Sequence, residues 1–140
     1  SEDFKLTTGT WVQAGRLRID ALELLRGLVQ DIVICGHDRD AIGLLLFPLP
    51  DQVQDGNTSD GAVIDAALQA RIEDRLRIAA EAATGSAKRM TRAILLAEPP
   101  SLKDHEVTDK GSLNVRRILT RRAALVDRLY DNEDPALIRV

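Results

Sequence analysis

Residues 32–47 read Ile32-Val33-Ile34-Cys35-Gly36-His37-Asp38-Arg39-Asp40-Ala41-Ile42-Gly43-Leu44-Leu45-Leu46-Phe47, with an apolar run on each side of a polar turn. Each run is short and bounded by turn residues, which is typical of a buried β-strand. Pro48 and Pro50 end the second run, because proline cannot donate to the hydrogen-bond ladder of a sheet. The stretch therefore predicts two buried strands joined by a turn.

The segments around these strands predict a hairpin, helices and one more strand. Apolar residues recur at helical spacing in three segments, and Gly, Asp, Asn and Ser cluster between them. In chain order, the predicted elements are a hairpin over Phe4 to Leu17 with a turn at Thr8-Gly9, a bend at Gly15, a helix over Ile19 to Val29, a loop over Asp51 to Gly61, a helix over Ile64 to Ala79, a strand over Thr91 to Ala97, and a helix from Leu113 to Tyr130. The expected fold is α+β, with an N-terminal β-hairpin and a small sheet of about three strands covered by helices. Residues 1–130 are expected to form this domain, and residues 131–140 a loose tail.

The composition is that of a soluble globular domain. The chain has 140 residues, of which 44% are hydrophobic and 29% are charged, which suffices for one domain with a modest core. Only 3% are aromatic, so the core must be built from Leu, Ile, Val and Ala. The net charge of −3 argues against nucleic acid as the main partner. A local basic patch could still form from Lys88, Arg89, Arg92, Arg116, Arg117, Arg121 and Arg122.

The cysteine content and the hydropathy pattern indicate the cellular compartment in which the protein is expected. Cys35 is the only cysteine, so no internal disulfide can form, which is consistent with a reducing cytoplasm. Its neighbours Ile34 and Gly36 predict a small buried core residue. No apolar run reaches transmembrane length and no signal peptide is evident. We therefore expect a cytoplasmic protein with no membrane partner.

A second stretch carries the most chemistry, and it reads Glu106-Val107-Thr108-Asp109-Lys110-Gly111-Ser112-Leu113-Asn114-Val115-Arg116-Arg117. A turn holds one lysine, Lys110, next to the flexible Gly111, and a basic helix follows for which Ser112 or Asn114 can serve as the cap. A mobile ammonium on a loop held by a packed helix suits delivery of positive charge to a phosphate or carboxylate. A solvated lysine in a surface turn is the alternative.

Three motifs follow one another along the chain. Asp3 and Gly9 begin it, the polar turn Gly36-His37-Asp38-Arg39-Asp40 comes next, and Thr108, Lys110-Gly111 and Arg116-Arg117 stand near its end. In this order they resemble the small C-terminal domain of adenylate-forming acyl-CoA synthetases, with its hinge, its Gly-x-x-Asp turn and its Gly-Lys loop before an Arg-Arg helix. The amino-acid sequences of Asp3 to Val12, of the polar turn and of Arg121 to Leu125 are most similar to those of the feruloyl-CoA synthase branch. The resemblance spans nearly the whole chain.

The resemblance implies a carboxylate–CoA ligase. Enzymes of this family activate a carboxylate with ATP as an acyl-adenylate and then transfer the acyl group to the thiol of CoA, here from an aromatic, hydroxycinnamate-like acid. ATP and Mg²⁺ would be bound mainly by a large N-terminal adenylation domain, the partner of this one, and no metal ligand is expected within this chain. The abrupt start at Ser1-Glu2-Asp3 indicates a cut in a longer protein. The fragment alone is expected to have no ligase activity.

The resemblance also implies a catalytic lysine. In most relatives the lysine directly follows the glycine, whereas here Lys110 precedes Gly111 and Ser112 occupies the usual position. Lys110 would take the role through a shifted loop, and Lys103 is a poorer candidate outside the motif. A lysine there bonds the carboxylate and phosphate oxygens, because an ammonium offsets the charge that develops on the phosphate.

Four residues near the start of the chain match the hinge and the CoA side of the family. Asp3 aligns with the hinge residue, about which the small domain rotates between the two half-reactions. Gly9 aligns with the glycine whose backbone lies beside the pantetheine of CoA, with Thr8 and Trp11 on the same surface. Asp3 could instead be an acidic residue at a frayed terminus, Gly9 an ordinary turn glycine and Trp11 a core anchor.

A non-catalytic interaction module that retains the fold is the competing interpretation. The inverted order of Lys110 and Gly111 favours the module, and the start at the hinge favours an enzyme fragment. A phosphate-binding loop in the upstream reading frame would distinguish them.

Overall fold

Three long strands, each apolar on both faces, lie side by side in one sheet of the computed structural model, which describes residues 2–140. The strands are β1 (Phe4–Lys5), β2 (Trp11–Val12), β3 (Val29–Cys35), β4 (Ile42–Pro48), β5 (Asn57–Ser59), β6 (Ala62–Ile64), β7 (Met90–Leu96) and β8 (Ile138–Arg139). The helices are α1 (Ala14–Leu24), α2 (Ala66–Ala82), α3 (Val115–Arg121) and α4 (Ala123–Leu129), with a 3₁₀ turn at Pro50–Gln52. The α+β fold class predicted from the sequence is confirmed.

The sheet is mixed and larger than expected. Its order is β3-β4-β7-β6-β5, and β8 also pairs with β7, so within the described residues it has six strands rather than about three. β3 and β4 are antiparallel, whereas β4 and β7 are parallel and need the long crossover through α2. The separate pair β1–β2 is the predicted hairpin.

The two faces of the sheet carry separate apolar clusters. Alternate residues of β4 supply both, with Leu44 and Leu46 on the first face and Leu45 and Phe47 on the second. Helices α1 and α2 and the β1–β2 hairpin cover the first face. Helices α3 and α4 cover the second. Continuous apolar runs suit strands that are buried on both sides.

Helix α1 begins earlier than the periodicity predicts. The predicted bend at Gly15 is wrong, because Gly15 lies in the first turn of α1. The Asp3 carboxylate accepts a hydrogen bond from the Ala14 N–H (3.0 Å), which satisfies a donor at the start of the helix. Ile19, predicted on the buried face, is 63% exposed. The helix packs instead through Ala14, Leu17 and Ala21.

The predicted loop over Asp51 to Gly61 contains a strand. β5 and β6 form a hairpin that turns at Asp60 and Gly61, where φ is +46° and +89°, as a tight two-residue turn requires. Ile64 belongs to β6, so α2 starts two residues later, with Asp65 accepting from the Leu68 N–H as its cap.

The predicted loose tail is wrong. β8 pairs with β7, and Ile138 is only 3% exposed in the first apolar cluster. The last helix is divided at Arg122 into α3 and α4. The Arg128 guanidinium bonds the Asp134 carboxylate (2.7 Å), which holds the chain between α4 and β8. None of the described helices is long and apolar enough to cross a membrane.

Candidate functional site

The β1–β2 hairpin carries the residues predicted for CoA binding. Its base is buried, since Leu6 and Val12 lie in the first apolar cluster. Its turn is closed by hydrogen bonds from the Gly9 N–H to the Leu6 carbonyl and from the Leu6 N–H to the Thr10 carbonyl, both 2.9 Å. Thr8 and Gly9 are exposed, and Gly9 has φ +86°. The hairpin therefore presents a fixed, solvent-exposed turn.

Two distant segments support this hairpin. The Thr7 N–H donates to the Arg39 carbonyl (2.9 Å) in the polar turn after β3. A Cβ on Gly36 in that turn would lie 2.7 Å from Phe4 Cε1, so any larger residue would require the Phe4 ring to move. On the other side, the Thr10 and Ser86 hydroxyls are 3.2 Å apart. The polar turn at residues 36–40 therefore supports the hairpin that carries Gly9, which gives these two motifs a structural connection.

The lysine loop, residues 107–113, projects from the second face of the sheet. Val107 and Leu113 pair across its base, and the Thr108 N–H donates to the Ser112 carbonyl (2.8 Å). The Gly111 N–H returns to the Thr108 carbonyl (2.9 Å), so Asp109 and Lys110 occupy the tip of a β-turn. Among residues 2–140, the Lys110 ammonium has no hydrogen bond or ion pair.

The flanks of the lysine loop are held more firmly than its tip. Asn114 is the cap of α3, since its side chain accepts from the Arg117 N–H (3.2 Å), which confirms one of the two caps predicted for this helix. Leu113 and Val115 pack against the second apolar cluster. The loop is therefore an exposed turn, held by its own hydrogen bonds, on a base that packs against the sheet.

A buried ion pair lies at the base of the lysine loop, and sequence reasoning missed it. Glu106 is 0% exposed and Arg122 5%. The guanidinium binds the carboxylate through two hydrogen bonds, Nε to Oε2 at 2.8 Å and a terminal nitrogen to Oε1 at 2.7 Å. Burial alone would raise the pKa of Glu106, but the bonds from Arg122 and from the Ser101 N–H outweigh it and lower that pKa to about 2. No short motif signals the pair, because its members are distant in the sequence.

The predicted basic patch does not form as one surface. Arg122 forms the buried ion pair with Glu106. Arg92 is also buried, and its Nε donates to the Leu129 carbonyl (2.9 Å). Arg121 pairs with Asp104 (3.0 Å) and lies 3.4 Å from Glu106. These arginines hold the chain after β7 together instead of presenting free charge.

A cleft of about 510 Å³ separates the hairpin and α1 from α3 and α4. Asp3 and Phe4 line one side, and Leu119 and Val126 line the other. Cys35 lies in its floor, where burial raises the pKa of the thiol to about 12, so the thiol stays protonated and is no nucleophile near neutral pH. The prediction of Cys35 as a buried core residue is confirmed.

The predicted site residues thus fall into two groups. Asp3, Thr8, Gly9 and Trp11 belong to the hairpin and its flank, which packs on the first face of the sheet. Lys110 belongs to the loop whose flanks pack on the second face. Trp11 is 51% exposed, so it does not anchor the core. Across residues 2–140, no group of three or more His, Cys, Asp or Glu side chains could hold a metal ion.

Solved structures with the same fold are adenylation domains. The A domain of a carboxylic acid reductase from Mycobacterium chelonae matches with a TM-score of 0.71 and 20% identity, over 91% of this chain and 19% of that one. The A-PCP didomain of a carboxylic acid reductase from Segniliparus rugosus, in complex with AMP, matches with a TM-score of 0.69 and 18% identity, over 93% of this chain and 17% of that one. These identities show the fold alone.

The A domain of the Segniliparus rugosus enzyme, in complex with AMP and a co-purified carboxylic acid, matches with a TM-score of 0.69 and 21% identity over 91% of this chain. This chain spans under a fifth of the length of these relatives. No curated protein matches it. The family model described as the AMP-binding enzyme C-terminal domain matches residues 17–134, which is most of the chain and includes the lysine loop and the Glu106–Arg122 pair. The chain therefore belongs to the family of AMP-binding enzyme C-terminal domains.

Proposed function

We propose that this chain is the mobile C-terminal domain of an ATP-dependent carboxylate–CoA ligase similar to feruloyl-CoA synthase, acting on an aromatic, hydroxycinnamate-like acid. The observation that carries the proposal is the position of the hairpin and of the lysine loop on opposite faces of one sheet. A rigid domain with this layout presents one segment to a partner active site in one orientation and the other segment after rotation. Two half-reactions require two such presentations.

Lys110 serves the first half-reaction in this proposal. The Lys110 ammonium forms no ion pair within the described residues, so it is available to bind the carboxylate and phosphate oxygens of an acyl-adenylate. The Thr108–Gly111 turn places Lys110 at the tip and Ser112 in the returning arm. This geometry supports Lys110 as the lysine of the loop, although it precedes Gly111.

The hairpin serves the second half-reaction. Gly9 has no atom within 4 Å of an added Cβ, so its backbone is open to a ligand such as the pantetheine of CoA. Thr8 and the half-exposed Trp11 flank this backbone. ATP and Mg²⁺ are bound mainly by the N-terminal adenylation domain in this proposal.

The decisive experiment uses the full-length protein with ATP, Mg²⁺, a hydroxycinnamate and CoA. The expected products are the hydroxycinnamoyl thioester, AMP and pyrophosphate; absorbance detects the thioester, and phosphate release in the presence of added pyrophosphatase detects the pyrophosphate. The 140-residue chain alone serves as the control and should form neither product. Pyrophosphate release without a CoA thioester, for every aromatic acid tried, would contradict the ligase assignment.

Asp3 is the proposed hinge, and its contact with α1 refines the test. Asp3→Asn keeps a side-chain oxygen that can accept from the Ala14 N–H, whereas Asp3→Pro also fixes φ near −65°. We expect Asp3→Pro to slow thioester formation while much of the adenylation remains, and Asp3→Asn to spare both. Separate assays of pyrophosphate exchange and acyl transfer decide this. Equal behaviour of the two variants would remove Asp3 from the hinge.

Two other functions have an observation in their favour. The shared fold with adenylation domains of carboxylic acid reductases raises the adenylation domain of a reductase as a second candidate, which would reduce the activated acid only when a hydride donor such as NADPH is supplied. The inverted order of Lys110 and Gly111 favours a non-catalytic interaction module, which would show no pyrophosphate exchange with any acid. The same product analysis, repeated with a hydride donor such as NADPH added, separates all three.

A further inference from the structure

We propose that the buried Glu106–Arg122 ion pair positions the lysine loop, so that its bidentate geometry determines where the Lys110 ammonium lies relative to the sheet. The kinetic part of this inference rests on the proposed function. The positioning itself is a statement about the loop and can be tested without any substrate.

Arg122 ties three segments of the chain together. Besides Glu106, its guanidinium donates to the Glu98 carbonyl (2.8 Å) and to the Pro99 carbonyl (3.0 Å). Those carbonyls lie where the chain leaves β7, Glu106 lies where it enters the lysine loop, and Arg122 itself divides α3 from α4. The guanidinium also lies against the ring of Phe47 in β4, 5.1 Å from its centroid. One side chain thus fixes the loop entrance to the central sheet.

Both ends of the lysine loop meet at Glu106. Its N–H donates to the Ser101 carbonyl and its carbonyl accepts from the Asn114 N–H, both at 2.8 Å. The hydrogen bonds that shape residues 107–113 run within the loop. A shift of Glu106 is therefore transmitted to the whole loop, since Lys110 has no hydrogen bond of its own among the described residues to resist it.

The chemistry of the pair suits positioning better than stabilisation. Two apolar side chains of similar volume can fill such a site with equal or greater stability, because burying two charges is costly. An Arg–carboxylate pair differs by fixing distance and orientation through two parallel hydrogen bonds. Lysine cannot reproduce this fork. A pair retained only for stability would not need this geometry.

The variants Arg122→Lys and Glu106→Gln test the inference, with Arg92→Lys as the matched control. Arg122→Lys keeps the charge and Glu106→Gln keeps the shape, so at least one is expected to fold. Arg92 is also a buried arginine on the second face, but its hydrogen bonds go to Leu129 and Asn132 and, among the described residues, none goes to residues 98–114. It controls for a general loss of stability.

The first readout is the rate of tryptic cleavage between Lys110 and Gly111 in the folded protein, followed by mass spectrometry. Loosening of the base should raise this rate about tenfold in both test variants, since cleavage reports local opening. Arg92→Lys should leave it unchanged. No increase in either test variant, or an equal increase in Arg92→Lys, would overturn the inference.

The second readout separates the half-reactions in the full-length enzyme. A misplaced Lys110 should lower kcat for adenylation by up to about 10²-fold, with little change in acyl transfer from preformed acyl-adenylate. Faster cleavage together with unchanged adenylation would show that the pair holds the loop but that Lys110 does not act in adenylation. That result would overturn the proposed role of Lys110 and the kinetic part of this inference together.

Discussion

The β1–β2 hairpin and the lysine loop are both exposed turns that end at a glycine with positive φ, +86° at Gly9 and +81° at Gly111. They differ in what holds them. The hairpin is fixed by backbone hydrogen bonds and by the apolar side chains of Leu6 and Val12. The lysine loop has a buried ion pair at its base and a tip held only by its own turn. Apolar anchoring stabilises a segment without fixing a direction, whereas the two parallel hydrogen bonds of the ion pair also fix the orientation of the chain.

This difference matches what the two segments are proposed to do. A backbone that lines a passage for pantetheine must keep its shape, which a buried apolar base ensures. An ammonium that stabilises charge developing on a phosphate needs a loop base in a fixed position and a lysine side chain that can still adjust. The four predictions below test this contrast.

The largest expected effect is that of Lys110→Ala in the full-length enzyme. Loss of one positioned charge-stabilising donor should slow adenylation by about 10²–10³, while acyl transfer from preformed acyl-adenylate is nearly unchanged. Pyrophosphate exchange and single-turnover acyl transfer measure the two steps separately.

Ser112→Ala is the control for that prediction, since Ser112 stands where most relatives have the lysine. Its side chain is exposed, and the loop bonds at this residue use its backbone, since its N–H donates to Thr108 Oγ1 (3.2 Å) and its carbonyl accepts from the Thr108 N–H (2.8 Å). We expect little effect on either step. A loss in Ser112→Ala as large as that in Lys110→Ala would mean that the loop, rather than its ammonium, is required.

The next effect concerns the loop base and its pH dependence. In the folded protein the pKa of Glu106 is lowered from 4.5 to about 2, so the carboxylate contributes stability that is full above its ordinary pKa and is lost as the pH falls toward 2. Glu106→Gln should cost about 3 kcal/mol in the free energy of unfolding near neutral pH. The difference from the wild type should shrink between about pH 5 and pH 2.

Denaturant unfolding at several pH values measures this difference. Glu73→Gln is the matched control, because Glu73 forms an ion pair with Arg77 (3.1 Å) on the solvent-exposed side of α2 and such pairs contribute little. A pH-independent loss in Glu106→Gln would mean that the second acceptor oxygen facing Arg122, and not the carboxylate charge, is what the site requires.

Sequence reasoning succeeded for the hairpin because its signals are local. Thr8 and Gly9 mark the turn, and the residues that pack beneath it lie within a few positions. The strands at Ile32 to Cys35 and Ile42 to Phe47 were recognisable for the same reason, as unbroken apolar runs between turn residues. The structure extends the first to Val29 and the second to Pro48.

Sequence reasoning failed where the local structure depends on a residue that is distant in the sequence. The early start of α1 depends on Asp3, eleven positions before Ala14. The ordered tail depends on the free edge of β7, which accepts Ile138 and Arg139 as a strand although the preceding residues 131–135 look polar and loop-like. Glu106 and Arg122 read as ordinary surface charges until the fold brings them together. The roles of Lys110, Gly9 and Asp3 remain proposals.

A smaller effect is expected from alanine at the two turn glycines. An added Cβ meets no atom within 4 Å at either Gly9 or Gly111, so Gly9→Ala and Gly111→Ala should each cost about 1–2 kcal/mol through the positive φ alone. The two variants are therefore matched in stability. Gly9→Ala should impair acyl transfer to CoA selectively, and Gly111→Ala should impair adenylation selectively. The same half-reaction deficit in both would remove the functional contrast between the two turns.

The smallest effect on stability is expected at Trp11, and it separates two interpretations of that residue. Trp11 is 51% exposed, whereas its neighbour Val12 is fully buried in the first apolar cluster. Trp11→Ala should therefore change the free energy of unfolding by no more than about 0.5 kcal/mol, while Val12→Ala should cost about 2 kcal/mol from lost burial and the cavity left behind. If Trp11 contacts CoA, its removal should raise KM for CoA in acyl transfer and leave pyrophosphate exchange unchanged, and Val12→Ala should do neither once it is assayed below its melting temperature. A core anchor would behave in the opposite way, because truncating a buried tryptophan costs about 3–5 kcal/mol. Thermal unfolding and CoA-dependent kinetics of the two variants, measured side by side, decide whether the exposed face of β2 serves the ligand or only the fold.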